Sequence, residues 1–252
     1  MESKEQYQSD RDCPSKPRGG SGLLTLLFIA VVMAMVIFAA NSSLFVVGSV
    51  VVEGSSTITQ EEILRIAGVP ERYNIFQLNT RDIKERLSGD LRIANVDVSR
   101  SFPSTIIIHV MERKPLIYVA TNYGFAEMDR TGLILAAYKN LRNVNIPILT
   151  GVTLTNQYVG DPIPPGPIGD VLFFLENLDA DTFNQISEVN IRADGYLSAY
   201  TTHPIQIRLG GNERLADKAK LTIDILQEIN QKKLAIDYID MNSAAPIIKA
   251  RK

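Results

Sequence analysis

The hydrophobic pattern of this chain changes character at two points. Residues 23–40, LLTLLFIAVVMAMVIFAA, are uncharged and apolar around the whole helical circumference, whereas a helix covering a soluble core keeps a polar face. Beyond residue 44 the pattern becomes that of globular sequence. β-branched runs with a period of two alternate with stretches of helical period, and Gly, Pro, Asn and Asp separate them.

At ~1.5 Å per residue the apolar block reaches ~27 Å, close to the ~30 Å hydrocarbon thickness of a bilayer, and predicts a transmembrane helix. Arg11, Lys16 and Arg18 precede it, while residues 41–60 contain no Lys or Arg. This asymmetry predicts a cytoplasmic N-terminus and places the rest of the chain outside. A cleaved signal peptide fits less well. Eighteen apolar residues exceed the usual ~7–15-residue core of such a segment, and Phe38 is bulky where a small residue precedes cleavage. The tail before the helix, residues 1–22, mixes charge with Pro, Gly and Ser and has little to bury, which predicts disorder.

The first globular stretch begins with FVVGSVVVEG, a strand by composition that ends at Gly54. Thr59 to Glu62 then forms a capping box: the Thr59 hydroxyl accepts from the Glu62 amide and the Glu62 carboxylate reaches back. Ile63, Ile66 and Ala67 supply the apolar face before Gly68. A second helix starts at Asn79 or Thr80, carries Asp82 in its first turn and buries Ile83 and Leu87. Two strands follow, IANVDVSR with Val96 and Val98 on one face, and TIIIHVMERKP after a turn at residues 102–104. The predicted order is β-α-α-β-β. Glu112 and Arg113 are adjacent on a strand and face opposite ways, so they cannot handle one proton jointly; they read as a solvated strand end. His109 reads as a strand-surface residue.

Taken in order, the apolar anchor, FVVGSVVVEGSSTITQEEIL, YNIFQLNT and IANVDVSRSFPSTIIIHVMERKPL resemble the POTRA domain of the FtsQ/DivIB bacterial cell-division proteins. The shared details are a strand ending in V-x-G before a T-x-x-E-I helix start, an N-x-F-x-L step between helices, and an F-P-S-T strand closing on E-R-x-P. The resemblance covers nearly the whole chain. It implies an α+β protein with a cytoplasmic tail (1–22), a span and short linker (23–44), a POTRA domain (45–115) and a mixed β-sheet domain with flanking helices (116–252).

The second stretch supports that division. LIYVATN, FAEMD and LILAAY read as successive antiparallel strands, with a turn at residues 129–132. The segment 145–151 resembles the P-x-L-x-G step of the same family. A Pro/Gly-rich connector leads to a helix with Val171, Leu172, Leu175 and Leu178 on one face, and QISEVNI, YLSAYT and IQIRLG follow as strands. A helix from about residue 214 to 231 carries Leu215, Ala219, Leu226 and Ile229 at helical spacing. In AIDYIDMN, alternation groups Ile236, Tyr238 and Asp240 against Asp237, Ile239 and Met241. The last segment, APIIKARK, reads as an edge strand, where Pro246 is tolerated.

An exposed last edge has two readings from the residues themselves. Lys249, Arg251 and Lys252 blunt it against aggregation, or a partner strand pairs with Ala245, Pro246, Ile247, Ile248, Lys249 and Ala250 by β-augmentation. The family resemblance implies the second, with FtsB/DivIC-like and FtsL-like partners and the septal wall synthase complex, at the division septum. The last strand departs from the family in being short and in lacking an aromatic residue, so Tyr238 on the preceding strand and Ile247 are the candidate anchors. A POTRA-bearing secretion or envelope-assembly adaptor is the alternative, but such proteins continue into many ~10-residue barrel strands.

Composition narrows the chemistry. With 26 basic and 28 acidic residues there is no basic field for nucleic acid. The one cysteine, Cys13, lies in the tail, so the globular part has neither disulfide nor thiolate metal site. No phosphate loop, G-x-S-x-G, H-E-x-x-H, G-x-G-x-x-G or S-x-x-K motif occurs, and the two histidines, His109 and His203, offer little for a triad. Asp179 and Asp181 read as a capped or solvated helix end. The chain is expected to be a non-enzyme that needs no cofactor.

Overall fold

The computed structural model describes residues 21–42, 45–69, 73–141, 145–163, 166–243 and 245–251. Residues 1–20 of the predicted disordered tail, with Arg11, Cys13, Lys16 and Arg18, lie outside the described residues, while its last two, Ser21 and Gly22, are helical and begin α1. The apolar block forms helix α1 (Ser21–Ala40), 20 residues long and therefore ~30 Å. Side chains 22–39 are all exposed, so this helix serves no protein core.

After α1 come β1 (Ser49–Glu53), α2 (Gln60–Ala67), α3 (Thr80–Ser88), β2 (Ile93–Ser101) and β3 (Thr105–Glu112). β3 lies centrally in the sheet order β1-β3-β2, parallel to β1 and antiparallel to β2. The strand expected from Phe45 starts only at Ser49. Residues 45–47 instead meet the connector between α2 and α3, with an isolated bridge from Val46 to Asn74. Thr59 caps α2 by accepting from the Glu62 amide at 3.3 Å, and Gly68 ends it with φ 58°. The Glu62 carboxylate is drawn to Arg92 at 2.9 Å. Asn79 caps α3. Ile63, Ala67, Ile83 and Leu87 from the helices pack on Ile93, Val96, Ile106 and Ile108 from the strands. The alternation of β3 makes this possible, since Ile106, Ile108 and Val110 all face the helices.

The rest builds a sheet of nine strands. They are β4 (Pro115–Thr121), β5 (Gly124–Asp129), β6 (Ile134–Tyr138), β7 (Ile148–Leu154), β8 (Ile186–Ile191), β9 (Leu197–Thr201), β10 (Gln206–Gly210), β11 (Ile236–Asp240) and β12 (Ile247–Ala250). Helices α4 (Pro167–Glu176) and α5 (Ala180–Phe183) lie between β7 and β8, and α6 (Leu215–Lys232) between β10 and β11. The strand order is β12-β11-β10-β9-β8-β7-β4-β5-β6. β4, β5 and β6 are antiparallel as expected, whereas β7 runs parallel to both β4 and β8, and β10 parallel to β11. Crossover helices are what parallel neighbours require, and α4 and α6 supply them. Their apolar faces join Ile117, Val119, Leu149, Val189, Ala199, Ile207 and Ile239 in a second, separate core.

The end of β3 is not solvated. Burial would raise the Glu112 carboxyl, but the amides of Ile58, Thr57 and Ser56 outweigh it and hold the group well below the usual carboxylate range. Its Oε1 accepts from all three amides at 2.9 Å. Arg113 points elsewhere, to Asp129. Their opposite directions agree with the pleat; the long-range partners were not foreseen. His109 is exposed and sits 3.2 Å from Glu53 on β1. Asp179 caps α5, accepting from the Thr182 amide at 2.8 Å.

Candidate functional site: the β12 edge

One face of the nine-stranded sheet is covered by α4 and α6, and the other is open. At one end the sheet stops on β12, whose four residues are all exposed. Among the described residues, no strand pairs with its outer side. The opposite edge differs. β6 is held at its start by the loop after β7, where Ile134 donates to the Asp161 carbonyl at 3.1 Å and accepts from the Gly160 amide at 2.9 Å. Unpaired main-chain groups along an edge are a template for another strand, and β12 offers the barer one.

Residues and structure agree only partly on the site. Ile247, Ile248, Lys249 and Ala250 form β12 and pair antiparallel with Asp240, Ile239, Tyr238 and Ile236. Ala245 and Pro246 precede the strand and take no part in its ladder; proline cannot donate to one. Tyr238 lies on β11 beside Lys249. The alternation expected in AIDYIDMN is broken by a register shift between Ile236 and Tyr238. As a result Ile236, Ile239 and Met241 are all buried, while Asp237 is exposed and Tyr238 and Asp240 are half-buried. The extra residue of a bulge does this by shifting the side-chain parity along the strand.

On the open face the Tyr238 ring is the centre of a charged cluster. The Arg208 guanidinium lies 4.0 Å from its centroid, and the Lys249 ammonium 5.3 Å. Such contacts contribute ~0.5–1 kcal/mol at exposed sites. Arg208 Nε donates to Gln206 at 3.1 Å, Gln206 Nε2 donates to the Tyr200 hydroxyl at 3.1 Å, and Lys249 lies 3.7 Å from Asp237. Arg208 was not foreseen, although the alternation of IQIRLG puts Gln206 and Arg208 on one face. Ile247, 55% exposed, shares the face of Lys249 and adds apolar surface to the cluster, while Ile248, 45% exposed, lies beside Ile239 on the opposite face. The arrangement provides main-chain hydrogen bonding, an aromatic platform and charges of both signs. Among the described residues no group of three or more His, Cys, Asp or Glu comes together to hold a metal.

An apolar helix followed by two α+β units, the second ending in an open sheet edge, defines the class of architecture to which the chain belongs. Residues 45–113 match the family model of the FtsQ-type POTRA domain, and residues 117–242 match that of the C-terminal domain of cell division protein FtsQ/DivIB. The chain belongs to the FtsQ/DivIB family of cell-division proteins. Cell division protein DivIB of Clostridium acetobutylicum is 30% identical over 141 residues, 56% of this chain and 53% of that protein. The match thus spans about half the length of that relative. DivIB of Clostridium tetani is 27% identical over 204 residues, 79% of this chain and 76% of its own. Cell division protein FtsQ of Syntrophotalea carbinolica is 26% identical over 235 residues, 90% and 83% respectively. The solved major extracytoplasmic domain of DivIB from Geobacillus stearothermophilus, trans isomer, is 17% identical and covers 48% of this chain and 96% of its own, with a TM-score of 0.34.

Proposed function

We propose that the protein is a non-enzymatic, single-pass scaffold of the division machinery, in which β12 accepts a strand of an FtsB/DivIC-like partner. The observation that carries this reading is the exposed β12, bare on its outer side among the described residues, in a chain of this family. Main-chain bonds worth about 1 kcal/mol each supply affinity, and the Tyr238 platform with Ile247 and Ile248 supplies side-chain selectivity. α1 anchors the chain with its basic tail in the cytoplasm, as the charge asymmetry supports. The POTRA domain (45–115) then stands nearest the membrane, and the β domain (116–252) presents the edge outside. FtsL-like proteins and the septal wall synthase join the same assembly at the septum.

The test is binding of the full chain in detergent micelles to the extracytoplasmic part of an FtsB/DivIC-like protein, with and without residues 245–252. Lost binding with a retained cooperative unfolding transition supports the reading. Binding unaffected by the deletion moves the interface away from β12.

A further inference from the structure

Three segments distant in sequence meet at one end of the three-stranded sheet: the chain arriving from α1, the connector between α2 and α3, and the turn between β2 and β3. Val47 donates to the Tyr73 carbonyl at 2.8 Å, Ile75 to the Phe45 carbonyl at 2.8 Å, and Gly48 to the Ser104 carbonyl at 2.9 Å. Arg100 fastens the connector from below, donating to the carbonyls of Ile75 and Leu78 at 2.9 and 2.6 Å. This framework gathers three aromatic rings. Phe45 and Phe76 have centroids 5.0 Å apart, and Phe76 and Phe102 5.3 Å. They do not form a core, because Phe76 and Phe102 remain 48% and 59% exposed.

We infer that the Phe45–Phe76–Phe102 cluster is a seat for the bilayer surface, inserting among lipid headgroups and the upper acyl chains beside the point where α1 leaves the membrane. Position argues for it first. Phe45 follows Ala40 by five residues, which extend at most ~18 Å, so the cluster cannot stand far from the end of α1. Charge argues for it second. Residues 19–52, 73–80 and 101–108 contain no Asp, Glu, Lys or Arg, and the neighbouring Arg100 guanidinium is already held by the Ile75 and Leu78 carbonyls, so seating these segments in the interface takes no carboxylate or ammonium out of water. Exposed aromatic side chains with no acidic residue in these segments suit that layer, and two points of attachment, a span and a seat, limit the tilt of the first unit over the membrane.

The inference rests on α1 spanning the bilayer, and one experiment separates the two. The chain has no tryptophan, so each substitution to Trp introduces a single emitter. The full chain is reconstituted in phosphatidylethanolamine/phosphatidylglycerol vesicles, with or without lipids brominated near the headgroup end of the acyl chain. The variants are Phe102→Trp, Phe76→Trp, Phe28→Trp within α1, and Tyr123→Trp on the exposed β4–β5 turn. The expected result is blue-shifted emission and loss of intensity to brominated lipid for positions 102, 76 and 28, with neither at position 123. Quenching at position 28 alone leaves the anchor standing and overturns the seat. Blue-shifted but unquenched emission at 102 and 76 means that protein covers the cluster, which also overturns it. No quenching at position 28 removes the anchor, and the seat with it.

Discussion

Arg113 Nη1 donates to Asp129 Oδ2 at 2.8 Å, joining the residue after β3 to the end of β5. Asp129 is only 3% exposed, yet its carboxyl stays below the ordinary range. Burial pushes it up, and the Thr131 hydroxyl, the Leu133 amide, Arg113 and the Thr131 amide together outweigh that. Arg113 follows the last strand of the three-stranded sheet and Asp129 lies in the nine-stranded sheet, so the pair links the two.

Removing one member strands the other. Asp129→Ala is expected to destabilise the protein by about 3 kcal/mol, the scale for breaking a buried pair from one side. Arg113→Met/Asp129→Leu should recover part of that loss. Urea unfolding of the single and double variants in micelles checks both; a double-variant loss equal to the sum of the single losses would show that the two residues are uncoupled.

Glu112 closes the loop between β1 and α2, accepting also from the hydroxyls of Ser55 and Ser56 at 3.0 and 2.9 Å. Its carboxyl is lowered in the fold from an ordinary value of 4.5. The sign follows: the unfolded chain takes up this proton first, so the stabilisation is complete above about pH 5 and fades as pH falls through 4. Asp129, lowered likewise, adds to the same acid loss. Glu112→Gln should cost about 2 kcal/mol near neutrality and leave a shallower decline of thermal midpoint between about pH 5 and pH 3. Parallel declines in variant and parent would count against the clasp.

Gly151 on β7 has φ 81°, and a Cβ there would lie 1.9 Å from the Ile191 carbonyl oxygen. Both the backbone region and the close approach of β8 exclude a side chain. Gly151→Ala is therefore expected to cost about 2 kcal/mol or more and to lower the thermal midpoint by several degrees. A midpoint within one degree of the parent, read by circular dichroism, would contradict the geometry.

Substitutions on β12 should separate folding from binding. Ile248 is 45% exposed beside the buried Ile239, so Ile248→Asp should cost stability only about 1 kcal/mol and leave the fold intact. If the edge docks a strand, the same change weakens FtsB/DivIC-like binding at least tenfold, or about 1.4 kcal/mol. Calorimetric titration beside urea unfolding reads both, and unaltered affinity would count against β12 as the docking edge.

Much of the architecture was legible because its signals are local. The apolar helix α1 shows as an unbroken apolar block, the two first helices of the globular part as Thr59 and Asn79 caps ahead of Ile63 and Ile83, and β3 as strict alternation through Ile106, Ile108 and Val110. The position of β12 at an edge was legible from Pro246, which a central strand does not tolerate, and from its basic end. The site itself was less so. A bulge inserts one residue and inverts the parity of everything after it, so reading AIDYIDMN by alternation put Ile236 and Tyr238 together when the fold separates them. Nothing within eight residues announces such an insertion, because it is set by how β11 meets its neighbour β12.

The sequence by itself determined which segments are helix or strand, that one helix is apolar on all sides, and that the histidines and cysteine are too few for common catalytic sites. These follow from short-range periodicity and residue type. Only the tertiary structure decided that Glu112 holds a loop 54 to 57 residues away, that Arg113 meets Asp129, that Arg208 stacks on Tyr238, and that three phenylalanines share one end of a sheet. Those pairings depend on strand order and register, which arise when two cores pack, and packing compares distant residues that no local pattern connects.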